Sequence, residues 1–255
     1  MSKVPAATST LDLLRTLANR GPSTATALAA ALDIPRSTTY HLLSVLTDAG
    51  FVVHLPDERR WTLGPSAFEI GMAYLRHDPR EALARPVLIE LAERVGHTVH
   101  LAALHGSEVV YLLKESPRST RRASTLITDV GVRLPAATTA SGRAMLATLS
   151  AEQVRAVMSS PTAFVSRTGR GPTSLSALRS VLTRERRSGY ALEDGEILDG
   201  YASVGVAIID SAGRLAGAVS VTVHTIGDAA GLDSVIAYVP QVREAAETIA
   251  TRLSR

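Results

Sequence analysis

Two stretches carry side chains whose type and spacing could do chemistry. Residues 219–224 alternate Val219, Val221 and Val223 with Ser220, Thr222 and His224, and residues 203–208 alternate Ser203, Gly205 and Ala207 with Val204, Val206 and Ile208. Successive side chains of an extended strand point to opposite faces, so small and hydroxylated groups collect on one face of a sheet. A solvated face would carry Lys, Glu and Arg; a small, hydroxylated one leaves room and hydrogen-bond partners, which the floor of a small-molecule pocket needs. The second stretch is PRSTTYHLLSVLTDAG, residues 35–50. At about 100° per residue, Leu42, Leu43, Val45, Leu46 and Ala49 gather on one side of a helix. Ser37, Tyr40, His41, Ser44 and Thr47 gather on the other, with Arg36 near its edge and Thr38 at the margin of the apolar face. Hydroxyls, Tyr, His and Arg suit phosphates and base edges better than plain solvation, for which Lys and Glu are the usual choice.

Other chemistries find little support. Around Ser203 the chain reads GYASVG, which lacks the glycine spacing of a nucleophile elbow. The sequence has no Walker phosphate loop, no Gly-x-Gly-x-x-Gly after a strand and no His-Glu-x-x-His. His97, His100 and His105 form the one metal-like cluster, but a three-residue interval within a strand places His97 and His100 on opposite faces unless His97 still lies in a turn. There are no cysteines, which excludes disulfides and thiolate ligands and fits a reducing cytoplasm. No catalytic residue, metal site or cofactor is expected. No apolar run approaches a membrane span, and MSKVPAATST lacks the apolar core of a signal peptide. The net charge of the 255 residues is only +3, which supports nucleic-acid binding weakly.

The surrounding elements must position these groups. Residues 1–8 read as a disordered lead, followed by a helix from about Thr10 to Asn19 with Ser9 as its N-cap and Asp12 in its first turn. Gly21–Pro22 breaks it. Ser23 can cap a short helix carrying Ala25, Leu28, Ala29 and Leu32, and Asp33–Ile34–Pro35 turns into the third helix, with Pro35 in its first turn and Gly50 as its stop. Two short helices, a tight turn and a longer helix with a polar outer face make a helix-turn-helix signature. Phe51–Leu55 and Arg60–Leu63 then form a hairpin around the charged loop Pro56–Arg59, the wing of a winged helix-turn-helix, with Arg59 and Arg60 placed to meet the sugar–phosphate backbone. Residues 1–64 hold six Lys and Arg against five acids, so binding double-stranded DNA requires local placement of charge and dimerisation.

Pro65–His77 reads as an apolar linker helix and Asp78–Pro79 as a boundary. Beyond it come a helix over 80–95, a hairpin from Thr98–Leu104 and Glu108–Lys114, and an irregular basic stretch with Arg118, Arg121 and Arg122. Helices follow over Ala137–Leu149 and Leu175–Arg187, the latter capped near Thr173, with Ser166–Pro172 a loop. A second hairpin, Tyr201–Asp210 with Arg214–His224, and a closing helix over Pro240–Leu253 complete the chain. Hairpins separated from helices predict an antiparallel α+β domain with helices on one sheet face.

LDIPRSTTYHLLSVLTDAGFV and RRWTLGPSAFEIG resemble the DNA-binding end of the IclR family of bacterial transcriptional regulators. Arg36, Ser37 and Thr38 fit the family's third helix, and Trp61-Thr62-Leu63-Gly64 matches its wing. His41, a shorter side chain, stands where the family usually has arginine. Residues 131–135 and 140–146, and the positions Gly189, Glu196, Ser203, Val204, Gly205, Ile208 and Asp210, resemble the family's C-terminal domain; Glu193 and Ile209 depart from it. The resemblance implies a winged helix-turn-helix over 1–64, a linker helix over 65–78 and a GAF-like effector-binding domain over 79–255. It implies DNA contacts from Arg36, Ser37, Thr38, Tyr40, His41, Arg59 and Arg60, and a cavity lined by Leu134, Ala140, Ser141, Glu193, Ser203, Ser220 and Thr222. The hydroxyls of that set suit a carboxylate or hydroxylated metabolite, and a homodimer or tetramer is implied. Two alternatives stay open: an enzyme with an appended DNA-binding module, and a protein-interaction module with a degenerate winged helix.

Overall fold

In the computed structural model residues 4–77, 79–118, 128–226 and 232–254 are described. The chain divides into two units, residues 1–78 and 79–255. The first begins with α1 (Pro5–Arg20), α2 (Ala25–Leu32) and α3 (Arg36–Asp48), whose Leu13, Leu17, Leu28, Leu43 and Leu46 form one buried cluster with Val52. Four local expectations are corrected. Pro5 opens α1 behind Val4, so Ser9 lies inside the helix and the first turn holds no acid; a proline needs no N–H there. Thr24, not Ser23, caps α2, accepting from the Ala27 N–H at 3.2 Å. Pro35 stands at the N-cap of α3 rather than inside it. Thr39 takes a core position, its hydroxyl donating to the Pro35 carbonyl at 3.1 Å, while Val45 and Ala49 are exposed.

The wing is β1 (Val52–Leu55) paired antiparallel with β2 (Arg60–Leu63) across a 3-10 turn. Ser23 is held instead by the wing: its N–H donates to the Trp61 carbonyl at 2.9 Å, and the Trp61 N–H donates back at 2.8 Å. The linker helix α4 spans Pro65–His77.

The second unit is built on a six-stranded antiparallel sheet of order β5-β4-β3-β8-β7-β6: β3 (Thr98–His105), β4 (Glu108–Glu115), β5 (Arg133–Pro135), β6 (Ala191–Asp194), β7 (Tyr201–Ile209) and β8 (Leu215–His224). Helices cover both faces, correcting the one-faced arrangement predicted from sequence. Against Val99, Leu101, Val204, Val219, Val221 and Val223 pack α5 (Pro79–Val95) and α10 (Val239–Leu253). The opposite face, with Ala102 and Ala218, receives α6 (Ala140–Thr148), α7 (Ala151–Val157) and α8 (Leu175–Ser188). A short α9 (Leu232–Ile236) precedes α10. Ser174, not Thr173, caps α8, and α6 starts three residues later than expected, behind Thr139, whose hydroxyl accepts from the Gly142 N–H.

The sheet face of small residues is occupied rather than open. A Cβ at Gly205 of β7 would lie 2.7 Å from the Ala140 carbonyl carbon and oxygen, and one at Gly142 would lie 2.4 Å from the Ala136 oxygen. The missing side chain at Gly205 lets the start of α6 rest directly on the backbone of β7, and the one at Gly142 lets α6 close against the loop that leads into it.

Candidate functional site

On α3 the buried residues are Thr39, Leu43 and Leu46. Arg36, Ser37, Thr38, Tyr40, His41 and Ser44 are all exposed, so one helix presents most of the sequence-predicted DNA set on one arc. Tyr40, 53% exposed, stands edge-on to Trp61 with ring centroids 5.8 Å apart. His54 of β1 lies tilted against the other part of that indole at 4.2 Å. Sequence reasoning used Trp61 only as a pattern match; its position ties the wing to the outer face of α3. Arg59, in the left-handed region at φ 52°, closes the 3-10 turn, and Arg60 lies 3.9 Å from the exposed Glu58. Such a loose, exposed pair is worth little.

In the second unit six of the seven predicted cavity residues meet. Ala140, Ser141, Glu193, Ser203, Ser220 and Thr222 line one cavity of about 20 Å³. Leu134 does not: it is buried in the apolar cluster beneath α6, because β5 pairs with β4 and turns its side chain into that core. The sequence missed Tyr111, Thr128, Thr139 and Tyr201, which also line the cavity. Tyr111 and Thr128 were unreadable because they reach the site through sheet register and an irregular segment, neither of which leaves a local pattern.

Glu193 is the cavity's acid, 3% exposed. Its Oε1 accepts from the Glu196 N–H at 2.7 Å and the Ile197 N–H at 3.1 Å, and its Oε2 accepts from the Ser203 hydroxyl at 3.0 Å. Burial nevertheless outweighs those bonds and pushes its pKa up to about 7. Burial likewise raises the Tyr111 phenol to about 12, keeping it a donor. His100, on the same sheet face opposite Ser220, is fully buried, and desolvation lowers its pKa to about 4. Its Nε2 lies 3.2 Å from the Thr128 carbonyl, which can only accept, so Nε2 carries the proton. The His100 Nδ1 and the Thr128 hydroxyl are buried without a protein partner among the described residues, and the buried Ser141 hydroxyl faces the Tyr111 phenol.

Next to this cavity lies a charge network that sequence reading did not find. Arg143, 2% exposed, donates from Nε to Glu185 at 2.9 Å and from Nη1 to Glu196 at 2.5 Å. Burial outweighs the attraction of Arg143 and lifts Glu185 to about 6; Glu196 is raised for the same reason. Because the Glu196 N–H also holds Glu193, one residue joins network and cavity. The available signal was Arg143 itself, the one charge in the run ASGRAMLAT.

The histidines form no metal site: His97, in the turn before β3, lies 3.1 Å from the Tyr238 hydroxyl, and no ligand-like group of three occurs among the described residues. Arg118 meets Glu93, whereas Arg121 and Arg122 lie outside the described residues. No described helix is long and apolar enough to cross a membrane.

A winged helix-turn-helix joined to an α+β unit with an enclosed polar cavity defines a ligand-responsive DNA-binding regulator. The comparisons give the family. The bacterial transcriptional regulator IclR C-terminal model matches residues 72–251, and the IclR helix-turn-helix domain matches residues 6–56. The HTH-type transcriptional repressor AllR of Salmonella typhi is 30% identical over 242 residues, covering 91% of this chain and 84% of that one. The transcriptional repressor IclR of Escherichia coli is 30% identical over 211 residues, covering 82% and 76%. Among solved structures, an ICLR transcriptional regulator from a Silicibacter species superposes with a TM-score of 0.81 at 27% identity, covering 97% and 96%. An IclR homologue from Microbacterium hydrocarbonoxydans, complexed with 4-hydroxybenzoate, gives 0.76 at 26% identity, covering 97% and 98%. The chain belongs to the IclR family and is a DNA-binding transcriptional regulator with a C-terminal effector domain.

Proposed function

We propose that this regulator reads its operator with Arg36, Ser37, Thr38, Tyr40 and His41 of α3, holds the backbone through Arg59 and Arg60, and binds a small hydroxylated carboxylate in the cavity under α6. The observation that carries the effector reading is the buried polar lining of that cavity, in which the Thr128 hydroxyl has no partner among the described residues. Buried polar atoms are normally satisfied, and a ligand or water in the cavity is the reading that satisfies it. Among the described residues the lining holds no Lys or Arg, and an anion there would be held by hydroxyls and first-turn N–H groups. The relative crystallised with 4-hydroxybenzoate supports a ligand of this class.

A cavity of about 20 Å³ has room for roughly one water. A metabolite therefore enters only with displacement of the lining, and the two states of the unit differ in affinity by design of their packing. That difference is what lets an effector shift an equilibrium. The regulator acts in the cytoplasm as a homodimer or tetramer, the dimer placing two α3 helices on successive half-sites. A non-catalytic role suits Ser203, whose hydroxyl bonds Glu193 at 3.0 Å and lies 3.1 Å from the Thr222 hydroxyl.

A thermal-shift screen of small carboxylates, 4-hydroxybenzoate included, tests the cavity. A stabilising hit that weakens at least tenfold in Ser220→Ala supports it, and a hit of unchanged affinity in that variant removes the assignment.

A further inference from the structure

The sequence places Val45 on the buried side of the third helix, and the structure turns it out: Val45 is 64% exposed. The helix phase explains this. Thr39, Leu43 and Leu46 fall within about 60° of one another at 100° per residue and form the buried face. Val45 lies on the far side, sharing the exposed arc with Thr38, His41 and Ser44. The exchange runs against hydrophobicity, since a threonine is inside with its hydroxyl tied to the Pro35 carbonyl and a valine is outside. Among the exposed residues from Arg36 to Ser44 the side chains are charged or polar, so Val45 is the apolar member of the reading arc.

We propose that Val45 is a specificity-determining residue that reads the 5-methyl group of a thymine in the major groove. The C5-methyl is the one apolar feature on a base edge there, and it is recognised by apolar contact rather than hydrogen bonding. A β-branched side chain in a helix is held almost entirely in one rotamer, so the two Val45 methyls keep a fixed direction, as shape readout requires. Val45 is one helical turn beyond His41, about 6 Å along the axis. The inference rests on α3 being the groove-entering helix, and the experiment separates the two.

A duplex enriched by the wild-type protein from a random pool is resynthesised with uracil for thymine, one position at a time, and its affinity is measured by gel shift. Wild type is expected to lose about fourfold at one or two positions, the worth of one buried methyl group. Val45→Ala should lose a similar factor on the parent duplex and become indifferent to uracil at those positions. Val45→Thr, which keeps a methyl, should retain the sensitivity. If Val45→Ala binds the pool's duplex yet shows the same uracil penalties as wild type, the inference is overturned while DNA reading by α3 stands. A pool without enrichment overturns both. Circular dichroism melts of the exposed-site variants should superpose on wild type.

Discussion

Replacing Glu193 by glutamine should remove a large part of the pH dependence of the effector unit's stability. An ordinary glutamate titrates at 4.5, and burial holds Glu193 near 7. The folded chain therefore favours the protonated acid. Its contribution is fully present below pH 4.5, the unfolded value, and is lost as pH rises through about 7. Moving a carboxyl between those values corresponds to about 3 kcal/mol. Glutamine fits the same bonds: its oxygen can accept from Glu196 and Ile197, and Ser203 can turn to accept from the amide while donating to Thr222, 3.1 Å away. Glu185 and Glu196 titrate in the same direction, and His100, with a lowered pKa, loses stability as pH falls below 6.5. The difference between wild type and Glu193→Gln cancels those shared contributions. Urea unfolding followed by circular dichroism at pH 5, 6, 7 and 8.5 should show Glu193→Gln gaining about 2.5 kcal/mol on wild type across that range, most of it between pH 5 and 7. Parallel pH profiles for the two proteins would refute the reasoning, because they would mean that Glu193 is ionised in the fold at ordinary acid pH.

Three further outcomes follow from other sites. Arg143→Met leaves Glu185 and Glu196 without their cation and should cost about 3–5 kcal/mol at pH 8 by urea unfolding, with a smaller loss at pH 5, where both acids can protonate. Gly205→Ala forces a methyl to within 2.7 Å of the Ala140 backbone; a melt should show about 1–3 kcal/mol of destabilisation, and an unchanged melt would mean that α6 does not rest on β7 as described. Arg36→Ala and Arg60→Gln should each lower the slope of log affinity against log salt by about one phosphate's worth in gel shifts, and a slope equal to wild type would take that residue off the DNA backbone.

Much of this architecture was legible because its signals are local. The leucine spacing of α1 to α3, the alternation in β7 and β8, and the turn residues between hairpin strands sit within a few residues of one another. What failed did so for physical reasons. Periodicity assigns helix faces by hydrophobicity, so it placed Val45 inside and gave Thr39 no role, whereas packing chose the phase that buries Leu43, Leu46 and a satisfied threonine. The short edge strands β5 and β6 carry Arg133, Glu193 and Asp194, which dilute the apolar pattern of a strand. The α7 helix was readable after all, since Ser150 and Gln153 form a complete capping box. Ser203, Ser220 and Thr222 could be named because strand alternation and family position agree on them, while Ala140, Ser141, Glu193 and Leu134 came from position alone, and Leu134 is the one that falls outside the cavity. The Arg143 network joins residues far apart in sequence, and only the folded sheet brings them together.

Trp61 has one more consequence. The chain contains a single tryptophan, and it sits in the wing between Tyr40 and His54. Indole emission from this protein therefore originates wholly in the DNA-binding unit, while the effector unit carries tyrosines but no indole. A metabolite that binds under α6 has no indole beside it to perturb, so a change it provokes in indole emission, excited where tyrosine does not absorb, is a label-free record of a message that has passed residue 78.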